Sequence, residues 1–292
     1  MSTGDGPRAL PRRTLLRGAV TTGLITLAGC GPEGASTSFQ AAQESGTIKV
    51  GFADEAPYGF LDETGRLTGE APEVARAVLR TFGITKLEGV LADFRQLIPG
   101  LKAGSYAFVA AGMFINPTRC ADAAFSIPDY QVKSAFLVPR GNPKGITRFG
   151  DIKGEDVLIA VLTGAVELGY AVEAGVPEEQ IVTLGDQDSI FRAVRDGRVY
   201  GAATLDTTVA WLLEQNPGSG LEKTKPFLRG DTPGIGAFTF PKGATDFVTA
   251  FNTELRKLKE SGEWLRIVKS FGFSERNVPP PDVTTEQLCG DA

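Results

Sequence analysis

The strongest constraint on the fold is the alternation, along most of the chain, of short β-rich runs with amphipathic helical patterns. Residues 48–52 and 107–111 have the apolar, β-branched character of strands. Between them, residues 72–82 place apolar side chains on one face of a helix. This alternation predicts an α/β fold with largely parallel sheets, and the chain from residue 47 onward can form one large or two small domains.

The pattern also indicates that the chain passes twice between two lobes. The polar stretch 140–145, which contains Gly and Pro, follows a strand and marks the first passage. The chain returns through the Gly-containing stretch 230–236 to another strand and a long amphipathic helix. We therefore predict that the first lobe comprises residues 47–139 plus 235–292, and the second residues 140–234. Two passages imply a hinge.

The first thirty residues form a targeting segment in which four arginines precede an acid-free apolar stretch of residues 18–29. That stretch is too short to span a hydrocarbon core of about 30 Å as a helix. It ends in Leu-Ala-Gly-Cys, which resembles the lipobox of bacterial lipoproteins and implies that Cys30 is the lipidated first residue of the mature chain. Residues 11–17 also resemble a twin-arginine signal, and the general export route stays open. Residues 31–46 are predicted to be a flexible tether to the membrane.

The composition excludes several classes of function. There is no histidine, which removes Ser-His-Asp and Cys-His mechanisms and the commonest metal ligand, and we expect neither a metal nor a cofactor. A net charge of −5 gives no electrostatic footprint for nucleic acid. If Cys30 is lipidated, Cys120 and Cys289 either form a disulfide in an oxidising compartment or remain two separate thiols.

The order and spacing of several segments then carry a resemblance to a known family. These segments are residues 48–52 with 57–60, 67–70, 94–101, 112–119 and 125–130. Together they resemble the periplasmic solute-binding proteins of polar amino-acid ABC transporters. The resemblance implies a type II periplasmic-binding-protein fold, with two α/β lobes joined by a two-segment hinge. It also implies a monomer that is not an enzyme, that lies outside the cytoplasm, and that presents its ligand to a membrane permease.

Within that family, residues 51–58, 68–73 and 112–120 are most similar to ectoine/hydroxyectoine-binding proteins. This resemblance implies that Tyr58, Phe94 and Phe114 form an aromatic cage, that Glu55 faces the ligand cation, and that Arg119 holds the ligand carboxylate. Two cage positions exchange Phe and Tyr relative to the pattern of these proteins. The preference between ectoine and hydroxyectoine is therefore left open.

The chemistry of these side chains suits such a ligand. The planar guanidinium of Arg119 can give a carboxylate two parallel charge-assisted hydrogen bonds. Aromatic rings attract a cation by about 0.5–1 kcal/mol when exposed and about 2 kcal/mol or more when desolvated. Taken singly, each ring also fits an apolar core, and Phe94 continues a helical apolar stripe. Glu55 could equally be a solvated loop acid.

Four residues of the second lobe complete the predicted site. Thr163 and Gly164 lead into a helix N-terminus, which favours an anion such as a carboxylate but is also an ordinary helix start. Glu167 and Asp206 are expected to make polar contacts across the cleft. Asp206 resembles the acid that receives the α-amino group in amino-acid binders, although it also suits a helix cap.

Three other functions remain in view. A binder of ordinary polar amino acids would use Asp206 to bind the ammonium group, and the three aromatic residues of the predicted cage would then have no evident role in binding. A cyclic-acid dehydratase on the same fold would use Glu55 as general acid or base, but the sequence offers no second convincing proton-transfer partner. A signalling domain would have to act in trans on a membrane sensor.

Overall fold

The structure, a computed structural model, describes residues 34–228 and 233–290, and the predicted targeting segment with Cys30 lies outside these ranges. The strands are β1 (Thr47–Phe52), β2 (Phe60–Leu61), β3 (Leu67–Thr68), β4 (Lys86–Leu91), β5 (Phe108–Phe114), β6 (Ala123–Phe125), β7 (Tyr130–Val132), β8 (Ser134–Pro139), β9 (Ile159–Leu162), β10 (Ile181–Leu184), β11 (Gly201–Leu205), β12 (Leu221–Lys223) and β13 (Gly234–Pro241). The α-helices are α1 (Gly34–Ser45), α2 (Glu70–Arg80), α3 (Leu97–Lys102), α4 (Pro117–Asp122), α5 (Val166–Glu173), α6 (Gln187–Arg195), α7 (Asp206–Gln215), α8 (Thr245–Glu260), α9 (Glu263–Val268) and α10 (Thr285–Cys289).

Two mixed sheets form the centres of two lobes. The larger sheet has the order β4-β1-β5-β13-β6, with β7 also paired to β13. In it, β1 is parallel to β4 and β5, and β13 is antiparallel to its neighbours. The smaller sheet has the order β10-β9-β11-β8-β12, with β9, β10 and β11 parallel and β8 antiparallel. The predicted α/β architecture with two lobes is thus present.

The predicted boundary between the lobes is wrong by one strand. The sequence pattern assigns residues through 139 to the first lobe, but Ser134–Pro139 pairs with β11 and β12 and belongs to the second sheet. An unbroken apolar strand fits either sheet, and the four residue pairs it makes with β11 decide between them. The first passage between the lobes is therefore at Lys133. The chain returns to the larger sheet between β12 and β13.

The prediction of a flexible tether over residues 31–46 is also wrong in part. The segment Gly34–Ser45 is helix α1. The ring of Phe39 stacks on Phe247 with 4.2 Å between centroids and meets Phe82 edge-on at 5.4 Å. Ala42, one turn later, is buried beside it. One aromatic side chain in a polar segment thus docks the helix onto α8, although its sequence lacks a long apolar period.

The helices cover the sheets through apolar faces, as the sequence pattern requires. In α2, Val74, Val78 and Leu79 are buried and the helix packs against α8 and α9. A core of this kind leaves the carboxyl ends of the parallel strands free to carry polar side chains toward the opposing lobe. Across the described residues, no helix combines the length and apolar character needed to cross a membrane.

Candidate ligand-binding site

A cavity lies between the two lobes at the carboxyl ends of several strands. Its empty space, about 320 Å³ including a part that is open to solvent, is small. The first lobe contributes Glu55, Phe94, Gly112, Phe114 and Arg119. The second contributes Ala165, Val166, Glu167, Thr204 and Leu205. Five residues predicted for the site, Glu55, Phe94, Phe114, Arg119 and Glu167, are thus brought together from separate parts of the chain.

Arg119 lies in the first turn of α4, directly after strand β5. The side chain of Asn116 caps this helix by accepting a hydrogen bond from the Arg119 backbone N–H at 2.9 Å. The guanidinium donates from Nη1 to the Phe114 carbonyl at 3.0 Å and from Nη2 to the Gly164 carbonyl at 3.2 Å. Its Cζ lies 5.3 Å from the ring centroid of Phe94. Burial lowers the pKa of Arg119, but a guanidinium remains charged in proteins.

Glu55 is buried in the wall of the same cavity. Its backbone is fixed by a bridge to Gly59, and its Oε1 accepts a hydrogen bond from Gln187 Nε2 at 2.9 Å. Burial, together with the negative charge of Glu167, raises the pKa of Glu55 to about 8. The Gln187 hydrogen bond and the positive charge of Arg119 act in the opposite direction. The predicted alternative of a solvated loop acid does not hold, since this side chain is buried.

Glu167 supplies a second buried acid from the first turn of α5. Burial raises its pKa to about 7, while a hydrogen bond from its own backbone N–H and the charge of Arg119 lower it. Ala165 occupies the cap position without a side-chain cap, so Val166 and Glu167 begin the helix in the cavity wall. A helix N-terminus favours negative charge because its first N–H groups lack partners within the helix. The predicted anion-favouring helix start is therefore present, one turn after Thr163.

Thr163 and Gly164 themselves do not line the cavity. The Thr163 hydroxyl donates to the Leu184 carbonyl at 3.0 Å, within its own lobe. Gly164 has a φ of +84°, and a Cβ there would lie 2.6 Å from the Cβ of Arg95 in the first lobe. Glycine is therefore needed where the two lobes meet, and its carbonyl is the acceptor for Arg119.

Two of the three predicted cage rings lie in the cavity wall. Phe94 and Phe114 are both lining residues. Tyr58 is not among them: its side chain is fully buried, with its ring 5.1 Å from that of Tyr130. The absence of a side chain at Gly112 makes room for it, because a Cβ there would lie 2.4 Å from Tyr58 Cδ1. The predicted three-ring cage is therefore a pair of phenylalanines with a tyrosine behind the wall.

The Tyr58 hydroxyl has a different partner. It shares a hydrogen bond of 2.6 Å with Thr207 Oγ1, at the start of α7 in the second lobe. This bond crosses between the lobes, as do those from Gln187 to Glu55 and from Arg119 to Gly164. A ring contact between Phe60 and Trp211, 5.4 Å between centroids, joins the lobes outside the cavity. The structure therefore has the lobes in contact through residues in and next to the predicted site.

Asp206 also lies outside the cavity wall. It begins α7, and its Oδ1 accepts a hydrogen bond from the backbone N–H of Lys133 at 3.2 Å. Its own N–H donates to the Lys133 carbonyl at 2.8 Å, and its carbonyl accepts from Lys223 Nζ at 3.1 Å. The acid is therefore engaged at the passage between the lobes.

Sequence reasoning missed several residues of this site: Gly112, Ala165, Val166, Thr204 and Leu205 in the cavity wall, and Gln187 behind it. Thr204 and Leu205 end strand β11, and residues at the carboxyl ends of parallel strands are the expected ligand positions in such sheets. That signal is present in the sequence, because residues 201–205 form a short run of small and apolar residues that fits a buried strand. Gln187 is the first residue of α6, and its contact with Glu55 joins positions 132 apart in the chain, which no local pattern indicates.

A disulfide lies directly beside the site. Cys120 in α4 and Cys289 in α10 are bonded, with 2.05 Å between the sulfur atoms and 5.5 Å between the Cα atoms. Because Cys120 follows Arg119, the bond ties the helix that carries the guanidinium to the C-terminal end of the chain. The alternative of two separate thiols is not what the structure contains. No group of histidine, cysteine and acidic side chains suited to a metal ion occurs within residues 34–228 and 233–290.

The chain is similar to several known proteins. A probable amino-acid ABC transporter periplasmic-binding protein of Sinorhizobium fredii is 30% identical over 264 residues, which cover 88% of this chain and 87% of that protein. Among solved structures, EhuB in complex with hydroxyectoine matches with a TM-score of 0.80 at 30% identity, covering 88% of this chain and 99% of EhuB. An ancestral arginine-binding protein bound to arginine has a TM-score of 0.70 at 27% identity, covering 77% and 98%.

These neighbours confirm the type II periplasmic-binding-protein fold that the sequence predicted. The family model for bacterial extracellular solute-binding proteins, family 3, matches residues 48–274, from the first strand of the larger sheet to just beyond α9. The match thus includes every residue of the cavity wall. The chain belongs to the bacterial extracellular solute-binding proteins, family 3.

Proposed function

We propose that this protein is the solute-binding component of an ABC importer and that its ligand is ectoine or hydroxyectoine. These compact zwitterions combine a carboxylate with a delocalised ring cation. The observation that carries the proposal is a single small cavity in which Arg119 and two phenylalanine rings face two buried acids. EhuB, the structural neighbour at 30% identity, is known in complex with hydroxyectoine.

The two charges of such a ligand have complementary partners on opposite elements. The carboxylate would meet the guanidinium of Arg119 and the start of α5, where charge-assisted hydrogen bonds and the helix dipole act together. The cation would lie against the faces of Phe94 and Phe114, beside Glu55 or Glu167. Each cation–π contact contributes about 2 kcal/mol or more once water is excluded. A ligand that lacks either charge leaves one set of buried groups without a partner.

A polar amino acid is the second candidate, and one observation favours it. Glu55 and Glu167 together supply two acids beside Arg119, which suits a ligand with a carboxylate and two cationic groups, such as arginine. A neighbour at 27% identity, an ancestral arginine-binding protein, has a solved structure bound to arginine. Against it, the expected acceptor of the α-amino group, Asp206, bonds the Lys133 backbone at the passage between the lobes. The α-ammonium group would need another acceptor.

We further propose that the protein binds its ligand without changing it. A dehydratase would need a second ionisable group beside Glu55, and Glu167 is such a group in the cavity wall. The geometry of the two acids therefore does not by itself separate a binding protein from an enzyme. Membership of a family of solute-binding proteins supports binding rather than catalysis. We also propose that Cys30, outside the described residues, carries the lipid anchor, and that the partner is the membrane permease.

Calorimetric titration tests the ligand. Residues 34–292 would be titrated with ectoine, hydroxyectoine, arginine and a panel of polar amino acids, and the ligand would be recovered and identified by mass spectrometry. We expect binding of ectoine or hydroxyectoine, recovered unchanged. Replacing Arg119→Lys should weaken binding about tenfold or more through loss of the paired hydrogen bonds. The control is Arg140→Lys, an exposed arginine remote from the cavity.

Binding to amino acids alone would keep the family role and refute the ectoine class. Recovery of a dehydrated product would refute the proposal of binding without catalysis. Equal affinities for the wild type and the Arg119→Lys variant would refute the proposed contact between Arg119 and the ligand carboxylate.

A further inference from the structure

Gln187 connects the second lobe to an acid of the first. It is the first residue of α6, and only 5% of its surface is exposed. Its Nε2 lies 2.9 Å from Glu55 Oε1 and 3.2 Å from Thr204 Oγ1, and both of these residues line the cavity. Gln187 itself stands one layer behind the wall. One amide group therefore bridges two wall residues that belong to different lobes.

The side chain of Gln187 contributes little to the folding of its own helix. Asp186 caps α6, accepting a hydrogen bond from the Ser189 backbone N–H at 2.7 Å. Among the described residues, the Oε1 atom of Gln187 is buried and has no hydrogen-bond partner. A buried amide oxygen without a hydrogen-bond partner is destabilising, and a strong hydrogen bond from the amide nitrogen can offset this cost. In Gln187 that hydrogen bond is the one from Nε2 to Glu55.

This contact exists only when the lobes meet. The backbone of Glu55 is held within the first lobe, because the Glu55 N–H donates to the Gly59 carbonyl at 2.9 Å. The direction of its carboxylate, in contrast, is set from the second lobe by Gln187. A hydrogen bond to an ionised acceptor is stronger than one to a neutral acceptor. The hydrogen bond from Gln187 therefore stabilises the closed form most when Glu55 carries its negative charge.

We propose that Gln187 is a positioning residue that couples the charge of Glu55 to closure of the lobes, so that the protein closes most firmly on ligands whose cation keeps Glu55 ionised. This inference rests on the proposed function, in which Glu55 faces a ligand cation. Selectivity for cationic ligands then depends on a residue that need not touch the ligand. Because the first lobe alone can make the initial encounter, the effect falls on release of the ligand.

Stopped-flow fluorescence tests this coupling, with Trp211 as a reporter because its ring meets Phe60 across the lobes. The probes are hydroxyectoine, ectoine and arginine. Gln187→Met keeps the length of the side chain and removes the donor; we expect the dissociation rate to rise about tenfold and the association rate to stay within about twofold. The control, Asp188→Asn, alters an exposed side chain on the same turn and should change neither rate.

A second pair of variants separates positioning from a structural role. In a Glu55→Gln background, measured at higher ligand concentration, Gln187→Met should change the dissociation rate less than about twofold, since the charge that it responds to is gone. Thermal unfolding without ligand should be the same for Gln187→Met and the wild type.

Several outcomes would overturn the inference. One is an unchanged dissociation rate in Gln187→Met while the wild type binds a probe. Another is the same tenfold effect with and without the charge of Glu55. A wild type that binds none of the three probes would overturn the proposed function and this inference with it.

Discussion

Raising the pH should open the protein in the absence of ligand. Glu55 and Glu167 are buried where the lobes meet, and burial raises their pKa values to about 8 and about 7 from an ordinary value of 4.5. Once the lobes separate, water reaches both carboxyls, and we expect their pKa values to return toward the ordinary value. Closure is therefore linked to proton uptake.

The sign and size of the effect follow from this linkage. Between pH 4.5 and about 7, the closed form holds protons that the open form has released. The contribution to closure is fully present below pH 4.5 and is lost as the pH rises toward the higher pKa values. Within this pH range, each acid makes the free energy of closure less favourable by about 1.4 kcal/mol for every unit by which the pH rises. One acid alone thus shifts the balance about a hundredfold between pH 5 and pH 7.

Small-angle X-ray scattering measures this directly through the radius of gyration. Without ligand, the radius should increase between pH 5 and pH 8.5. A variant with both Glu55→Gln and Glu167→Gln carries no titrating acid in the cavity and should have the same radius at both pH values. An unchanged radius in the wild type, or an equal increase in the double variant, would refute the reasoning.

Two further predictions concern contacts at the edge of the site. Tyr58→Phe removes the hydroxyl that meets Thr207 while keeping the ring, and calorimetry should show affinity reduced about fivefold, because one hydrogen bond contributes about 1 kcal/mol to the closed form. Thr207→Val should have a similar effect that does not add to the first; additive losses would contradict a shared bond. Replacing Cys120→Ser and Cys289→Ser together should lower the free energy of unfolding by about 2–5 kcal/mol in a denaturant titration, because the bond closes a loop across 169 positions. An unchanged midpoint and slope would show that the bond does not stabilise the fold.

The part of the site that sequence predicts best comes from one continuous segment. Phe114 ends β5, and after a short loop Asn116 caps helix α4, which carries Arg119 in its first turn. Local rules determine this geometry, since strand, cap and helix are all encoded within about a dozen residues. The same rules anticipate the helix start at Val166, which places Glu167 in the first turn, because a short turn after β9 leads directly into it.

The orientations of Tyr58 and Asp206 could not be predicted in this way. Tyr58 points behind the wall because Gly112, more than fifty positions away, leaves space for its ring. Asp206 is engaged because Lys133, at the first passage between the lobes, presents its backbone N–H to the carboxylate. Such outcomes depend on which distant residues pack together. A motif places a residue near a site, but packing decides which way its side chain points.

Recognition and closure use the same side chains in this protein. Arg119 donates to Gly164 of the second lobe, and Glu55 accepts from Gln187 of that lobe, while both also line the cavity. A ligand shifts the balance between open and closed forms only by its differential affinity for them. A guanidinium has five N–H donors, so a ligand carboxylate can bond to Arg119 while the bond to the Gly164 carbonyl is kept. A ligand cation that keeps Glu55 ionised strengthens the bond to Gln187. Closure thus depends on the position of both ligand charges, which favours a compact zwitterion over an ion that satisfies only one end.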